Sequence, residues 1–159
     1  SDPDVGIHGG REAHQDREQS AEELRKRISE DKTWAICKKE SGKNIGMVWL
    51  EPDFRRKRSF DRCRVLGYLL AKPEWGQGLM TEAVQEVLRY AFEEISLELV
   101  STYRFSYNQR SGRVMEKMGF VWEGTLRDAT ERFDGALLDV MCYSISRKEY
   151  EEWQKKSSN

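Results

Sequence analysis

The residues best placed for chemistry in this 159-residue chain stand at two short turns. The first is Trp75-Gly76-Gln77-Gly78-Leu79-Met80-Thr81, which follows an apolar run and opens a helical pattern. The opening turn of a helix leaves several backbone N–H groups unpaired and carries a partial positive charge. Glycine lets an anion approach such a backbone closely. One reading is therefore a phosphate held by main-chain donors. The other is a tight strand-to-helix connection without a ligand, and Gly-x-Gly alone leaves both open. No Gly-Lys-Ser/Thr follows four spacers, and Thr81 stands where a dinucleotide fingerprint needs its third glycine. The second turn, Asn108-Gln109-Arg110-Ser111, sets an amide and a hydroxyl at the start of another helical stretch. Local capping, with Asn108 at the N-cap and Ser111 in the first turn, explains the same residues.

Other chemistries lack their residues. Cys37, Cys63 and Cys142 are odd in number and never form CxxC, and His8 and His14 have no partner at ligand spacing. No metal site is expected, and the cysteine usage suits a reduced, cytoplasmic setting.

The elements that must position the two turns are legible from periodicity. Val65–Leu70 is apolar on both faces and should lie centrally in a sheet. Leu79, Ala83, Val84, Val87, Leu88, Ala91, Phe92 and Ile95 recur at helical spacing and predict an amphipathic helix of about four turns. Residues 99–107 alternate, with Leu99, Tyr103, Phe105 and Tyr107 on one parity (Ser101 the exception) and Thr102, Arg104 and Ser106 on the other, as in a strand. A helix over Arg110–Met118 should stop at Gly119. Thr33–Lys38 and Ile45–Leu50 read as a hairpin, Phe120–Leu126 and Leu137–Ser146 as a second strand pair, and Arg147–Lys155 as a terminal helix. Residues 6–19 read as a polar loop, and Ser20-Ala21-Glu22-Glu23 as a capping box opening a short helix to about Ile28. Hairpins around one β-α-β crossover predict a mixed sheet.

Composition bounds the rest. The length suits a single domain over residues 1–159, with 27 basic against 28 acidic residues and a net charge of −1. That balance gives no global attraction to nucleic acid or an acidic membrane. No apolar run approaches the roughly 18–20 residues of a bilayer span. A basic loop (Arg55, Arg56, Lys57, Arg58, Arg62, Arg64) reads as a solvated loop, or as a surface attracting an acidic protein or ribosomal partner. Trp34, Trp49 and Trp122 read as core or sheet-face residues, and His14 as a loop residue.

Five segments occur in an order found in one family. They are Leu66-Gly67-Tyr68, Trp75 through Ala83, Asn108-x-x-Ser111, Glu116-Lys117-Met118-Gly119-Phe120, and Glu123-Gly124-Thr125-Leu126-Arg127. Together they resemble the GNAT acetyltransferases, in the branch of the ribosomal-protein N-acetyltransferases RimJ and RimL. The resemblance covers nearly the whole chain, and Pro3-Asp4-Val5-Gly6 and His14 are similar to the segment after the family's first helix.

The resemblance implies an α/β GNAT fold whose mixed, mostly antiparallel sheet splays between two central strands near Leu70 and Asn108. It implies acetyl-CoA as co-substrate, with no metal and no covalent enzyme intermediate. Backbone amides from Gly76 to Thr81 (Gly76, Gln77, Gly78, Leu79, Met80 and Thr81), after Trp75, would bind its pyrophosphate. The backbone of Leu69, Leu70 and Ala71 would pair with the pantetheine arm, and Asn108 would hydrogen-bond that arm. Ser111 would sit by the thioester sulfur and protonate the leaving thiolate. Arg113 and Lys117 would meet the nucleotide phosphates, unless they are solvated helix positions. The acceptor would be a primary amine, of a protein N-terminus or of a small molecule such as a polyamine, amino acid or antibiotic. A non-catalytic CoA-binding module is the alternative of another class.

Three departures stand beside the resemblance. Pro73 occupies a position usually held by Gln or Arg, and Val65 replaces a glutamate that serves some relatives as base. Counting along the later strand pair reaches Thr130, with Glu131 pointing to the other face if the strand is regular, so no base is named. The family's first strand and first helix are absent, so the domain reads as N-terminally incomplete. The Thr33–Lys38 edge is then expected to be covered by a partner chain (a homodimer being one form), by intermolecular pairing or by upstream residues.

Overall fold

The computed structural model describes Val5, Glu18, Glu22, residues 32–59 and residues 61–157. The expected loop at 6–19 with His14, and the capping box at Ser20, lie outside the described residues.

Six strands form one sheet: β1 (Thr33–Cys37), β2 (Asn44–Pro52), β3 (Cys63–Leu70), β4 (Leu99–Phe105), β5 (Val121–Glu131) and β6 (Leu137–Ser146). Their order is β1-β2-β3-β4-β6-β5, and β3–β4 is the parallel pair among antiparallel neighbours. Among residues 32–59 and 61–157 the α-helices are, in chain order, α1 (Leu79–Arg89), α2 (Gln109–Lys117) and α3 (Arg147–Ser157). The expected helix to Ile95 ends α1 in a π turn, Tyr90–Glu94, closed by Ser96 at φ +56°.

The site-forming feature is the short parallel pairing. Only Cys63, Arg64 and Val65 pair with Leu99, Val100 and Ser101. Thr102 Oγ1 then donates to the Leu66 carbonyl at 3.0 Å, and past that bridge the two strands part. Strand β3 stays paired to β2 as far as Leu70, and β4 stays paired to β6 as far as Phe105. Each central strand thus keeps one partner and opens its other side, which gives the expected splay.

Helix α1 closes the core. Met80, Val84, Val87 and Leu88 bury its apolar stripe, joined by Val48, Leu50, Leu66, Val100 and Ile145. Trp49 covers Gly67, where a Cβ would collide with the indole. Gly119, at φ +77°, ends α2 as expected, and Trp153 of α3 packs against it.

Three details refine the sequence reading. In β4 the polar parity is the more buried: Val100, Thr102 and Arg104 are buried, while Leu99, Tyr103 and Phe105 are half-buried. Burial is tolerated because Thr102 and Arg104 find hydrogen-bond acceptors inside the fold. Trp122 lies on the outer strand and is 56% exposed, so of the core and sheet-face readings it takes the sheet-face one. Strand β5 is irregular, with register shifts at Trp122/Gly124 and Leu126/Thr130 and Asp128 at φ +48°. Simple alternation to Glu131 therefore fails.

Strand β1 pairs with β2 on one side, as expected, and among the described residues no strand lies on its other side.

Candidate active site

A cleft of about 290 Å³ opens where β3 and β4 part, between the first turns of α1 and α2. Of the residues singled out from sequence it gathers Leu69, Leu70, Trp75, Gly76, Gly78, Leu79, Met80, Thr81, Asn108, Ser111, Arg113 and Lys117. Residues nearly 50 positions apart in the chain meet there because each central strand delivers a helix N-terminus to the same end of the sheet.

The turn before α1 is built from backbone. Gly76 and Gly78 take φ +79° and +82°, conformations that L side chains rarely adopt. A Cβ on either glycine would meet no atom within 4 Å, so both face open space. Gly78 is the N-cap and offers no side-chain cap, which leaves the first-turn N–H groups directed at that space. The geometry fits an anion approaching main-chain donors. These positions need glycine for their backbone conformation as well as for close approach of a ligand, with no clash inside the protein.

Two sequence-predicted residues stand apart. Ala71 donates its N–H to the Ile45 carbonyl at 2.8 Å, so it completes the β2–β3 ladder. By strand alternation Leu69 also turns its backbone groups to β2, while Tyr68 and Leu70 turn theirs to the splay. The open backbone is thus displaced by one residue from the expected Leu69–Ala71 segment. The Leu70 carbonyl already accepts from Trp75 Nε1 at 2.8 Å. Gln77 folds its amide back onto the Pro73 carbonyl at 3.0 Å and braces the turn outside the cleft.

Asn108 does cap α2: its Oδ1 accepts the Ser111 N–H at 3.2 Å. Ser111 itself is buried, and its hydroxyl lies 2.7 Å from the hydroxyl of Tyr68. Tyr68 also reaches the Ser111 carbonyl at 3.2 Å. Burial pushes the Tyr68 phenol well above its ordinary pKa, against smaller opposing pulls from the Ser111 hydrogen bond and the Arg104 charge, so it stays protonated at neutral pH. Tyr68 was not singled out from sequence, although a hydroxyl inside the run Val65–Leu70 was the available signal.

Three further residues join the cleft unforeseen. The Arg110 guanidinium stacks 4.7 Å from the Trp75 ring. Glu74, buried at the cleft wall, pairs with Lys38 at 2.9 Å and ties the end of the first hairpin to the turn. Val114 adds an apolar patch. No group of carboxylates, cysteines or histidines suited to a metal ion occurs among the described residues.

Three of the six basic residues of the loop are paired within the fold. Arg56 pairs with Asp53 at 3.2 Å and with Glu123, and Arg58 and Arg62 both pair with Glu98. Arg55 lies over the Tyr103 ring. The pairing of these three reduces the charge available to the partner-attracting reading.

Comparison with known proteins agrees with this geometry. Residues 1–121 match the acetyltransferase (GNAT) domain family. The chain is 33% identical over 147 residues to the prophage-derived uncharacterized N-acetyltransferase YokL of Bacillus subtilis, covering 91% of this chain and 77% of that protein. It is 36% identical over 91 residues to YdaF of the same organism, provisionally named a ribosomal N-acetyltransferase, covering 57% of this chain and 49% of YdaF. Its fold superimposes on a GNAT-family acetyltransferase from Bacillus anthracis with TM-score 0.80 at 21% identity, over 93% of this chain and 84% of that one. A glycine turn at a helix N-terminus, a sheet splayed beside it and these matches place the chain in the GNAT acetyltransferase family.

Proposed function

We propose that this acetyltransferase domain moves the acetyl group of acetyl-CoA to a protein N-terminal amine, by direct attack of the neutral amine on the thioester. The observation that carries the reading is the cleft itself. First-turn donors of α1, open strand backbone and a buried hydroxyl line one continuous groove. The N–H groups at Gly76–Thr81 hold the pyrophosphate, with Arg113 and Lys117 beside it. The open backbone of Tyr68 and Leu70 takes the pantetheine arm as an added strand, and one of these N–H groups polarises the acetyl carbonyl. Asn108 holds the α2 turn in place, and Ser111 gives a proton to the sulfur as it leaves. Acetyl-CoA supplies the activated acyl group; the chain supplies orientation, charge stabilisation and that proton.

A protein acceptor is favoured by the similarity to YdaF, whose name points to ribosomal substrates. Among the described residues no helix is long and apolar enough to cross a membrane. A cytoplasmic location and a homodimer that covers β1 complete the proposal.

The test is an acceptor panel with acetyl-CoA and free-thiol detection, comparing ribosomal N-terminal peptides, polyamines, amino acids and aminoglycosides. Preference for peptides is expected. Preference for free small amines would replace the acceptor class, and no turnover on any amine would leave a CoA-binding module instead.

A further inference from the structure

A serine hydroxyl is a poor acid by itself, whereas an ordinary phenol titrates near 10. Ser111 and Tyr68 both line the cleft, and their hydroxyls lie 2.7 Å apart. On the same side of β4 as α2 lies a buried guanidinium, Arg104, beside Gly112, whose missing side chain makes room for it. Arg104 donates to the Tyr143 hydroxyl at 3.1 Å and to the carbonyls of Phe105 and Ser106 at 3.2 Å. These acceptors are all neutral, and among the described residues no carboxylate pairs with it. A cation buried among neutral oxygens favours any negative charge that develops nearby. Burial disfavours the Tyr68 phenolate, and the Ser111 hydrogen bond and the Arg104 charge offset part of that cost.

We infer that Tyr68 is the positioning residue of a two-hydroxyl relay, with Ser111 touching the substrate and Arg104 supplying the buried counter-charge. The inference rests on the acetyl-transfer reading above. As the carbon–sulfur bond breaks, Ser111 Oγ–H gives its proton to the departing sulfur, and Tyr68 gives its own to Ser111 Oγ. Sulfur leaves as a thiol, serine is restored and the negative charge rests on the phenolate. Water entering the cleft after thiol release returns a proton to Tyr68, while the attacking amine loses one to solvent, so protons balance over the cycle. Either hydroxyl can donate across the 2.7 Å contact, and the relay uses the arrangement in which Tyr68 turns its one O–H from the Ser111 carbonyl to Oγ, leaving the serine's hydrogen for the cleft.

The test compares wild type, Tyr68→Phe, Ser111→Ala and the double variant, using whichever amine the acceptor panel identifies. Tyr68→Phe keeps the ring and should lower kcat roughly 10–100-fold with unchanged CoA affinity. In the Ser111→Ala background the same change should have no further effect, because the two hydroxyls act in series. Rate measurements in mixed light and heavy water should curve for wild type, where two protons move, and become linear in Tyr68→Phe. A readout free of turnover is the Tyr68 ring-carbon resonance in isotope-labelled protein, which should move on Ser111→Ala. A Tyr68→Phe enzyme of full kcat, additive losses or an unmoved resonance overturns the relay. If Ser111→Ala retains full kcat, or no amine is acetylated, the parent reading falls instead.

Discussion

Two polar regions lie at either side of β4 and differ in how completely they satisfy themselves. On one side the cleft presents unpaired helix N–H groups, glycines facing open space and the Tyr68–Ser111 hydroxyl pair. On the other, Asp53 is buried and accepts from Ser101 Oγ, from Tyr103 at 2.7 Å and from the Arg55 N–H at 3.0 Å, while pairing with Arg56. Arg56 passes to Glu123, and Glu123 accepts from Ser144 at 2.8 Å. Every carboxylate of that cluster has its partners inside the protein. Burying charge is tolerable only when it is paired, so this cluster reads as the clamp joining the loop after β2 to β4, β5 and β6. The cleft leaves its donors for a ligand. Chemistry-bearing residue types are more numerous in the clamp, yet the site is where donors remain unspent.

The largest expected effect that separates the two is Gly78→Asp. The side chain would bring a like charge to the phosphate position and a left-handed backbone to a non-glycine residue, weakening CoA binding by about 3 kcal/mol or more, over a hundredfold. Calorimetry on the folded variant checks it, and unchanged affinity would remove the phosphate assignment. Asp53→Ala should do the converse. It strands the Ser101 and Tyr103 hydroxyls and removes one of the two carboxylate partners of Arg56, costing about 3 kcal/mol of stability in denaturant melts while CoA affinity stays the same. A loss of CoA affinity in a folded Asp53→Ala variant would mean that the clamp and the cleft are one unit.

A smaller change sharpens the cleft side. Trp75→Phe removes the indole donor from the Leu70 carbonyl and should cost about 1 kcal/mol in thermal melts. The smallest effect concerns Glu98, which the Arg62 hydrogen bond and the charges of Arg62 and Arg58 hold below the usual carboxylate pKa. A depressed carboxylate stabilises the fold above its unfolded pKa, and that contribution is lost as pH falls through the folded value. Wild-type melting temperature should therefore fall further on acidification than that of Glu98→Gln. Equal acid slopes would show that this exposed pairing contributes nothing.

The fold was legible where one element's periodicity sufficed. The apolar run Val65–Leu70, the stripe from Leu79 to Phe92 and the stop at Gly119 all specify their elements locally. The glycine turn was legible too, since φ above zero has a sequence signature at Gly76 and Gly78. What escaped depends on distant partners. Tyr68 meets Ser111 across 43 residues, and Asp53 meets Ser101 across 48. The burial of Arg104 could not be read from the strand alone, because its acceptors, Tyr143 and the following carbonyls, exist only once β6 and the turn are in place. The β5 bulges likewise follow from pairing with β6, which alternation along one strand does not encode.

Amide-resolved NMR titration of the full chain with CoA tests the central distinction most directly. The account predicts saturable shifts at Gly76–Thr81, Tyr68, Leu70 and Ser111, with Asp53, Tyr103 and Glu123 unmoved. Shifts centred on the Asp53 clamp, with the glycine turn silent, would contradict it.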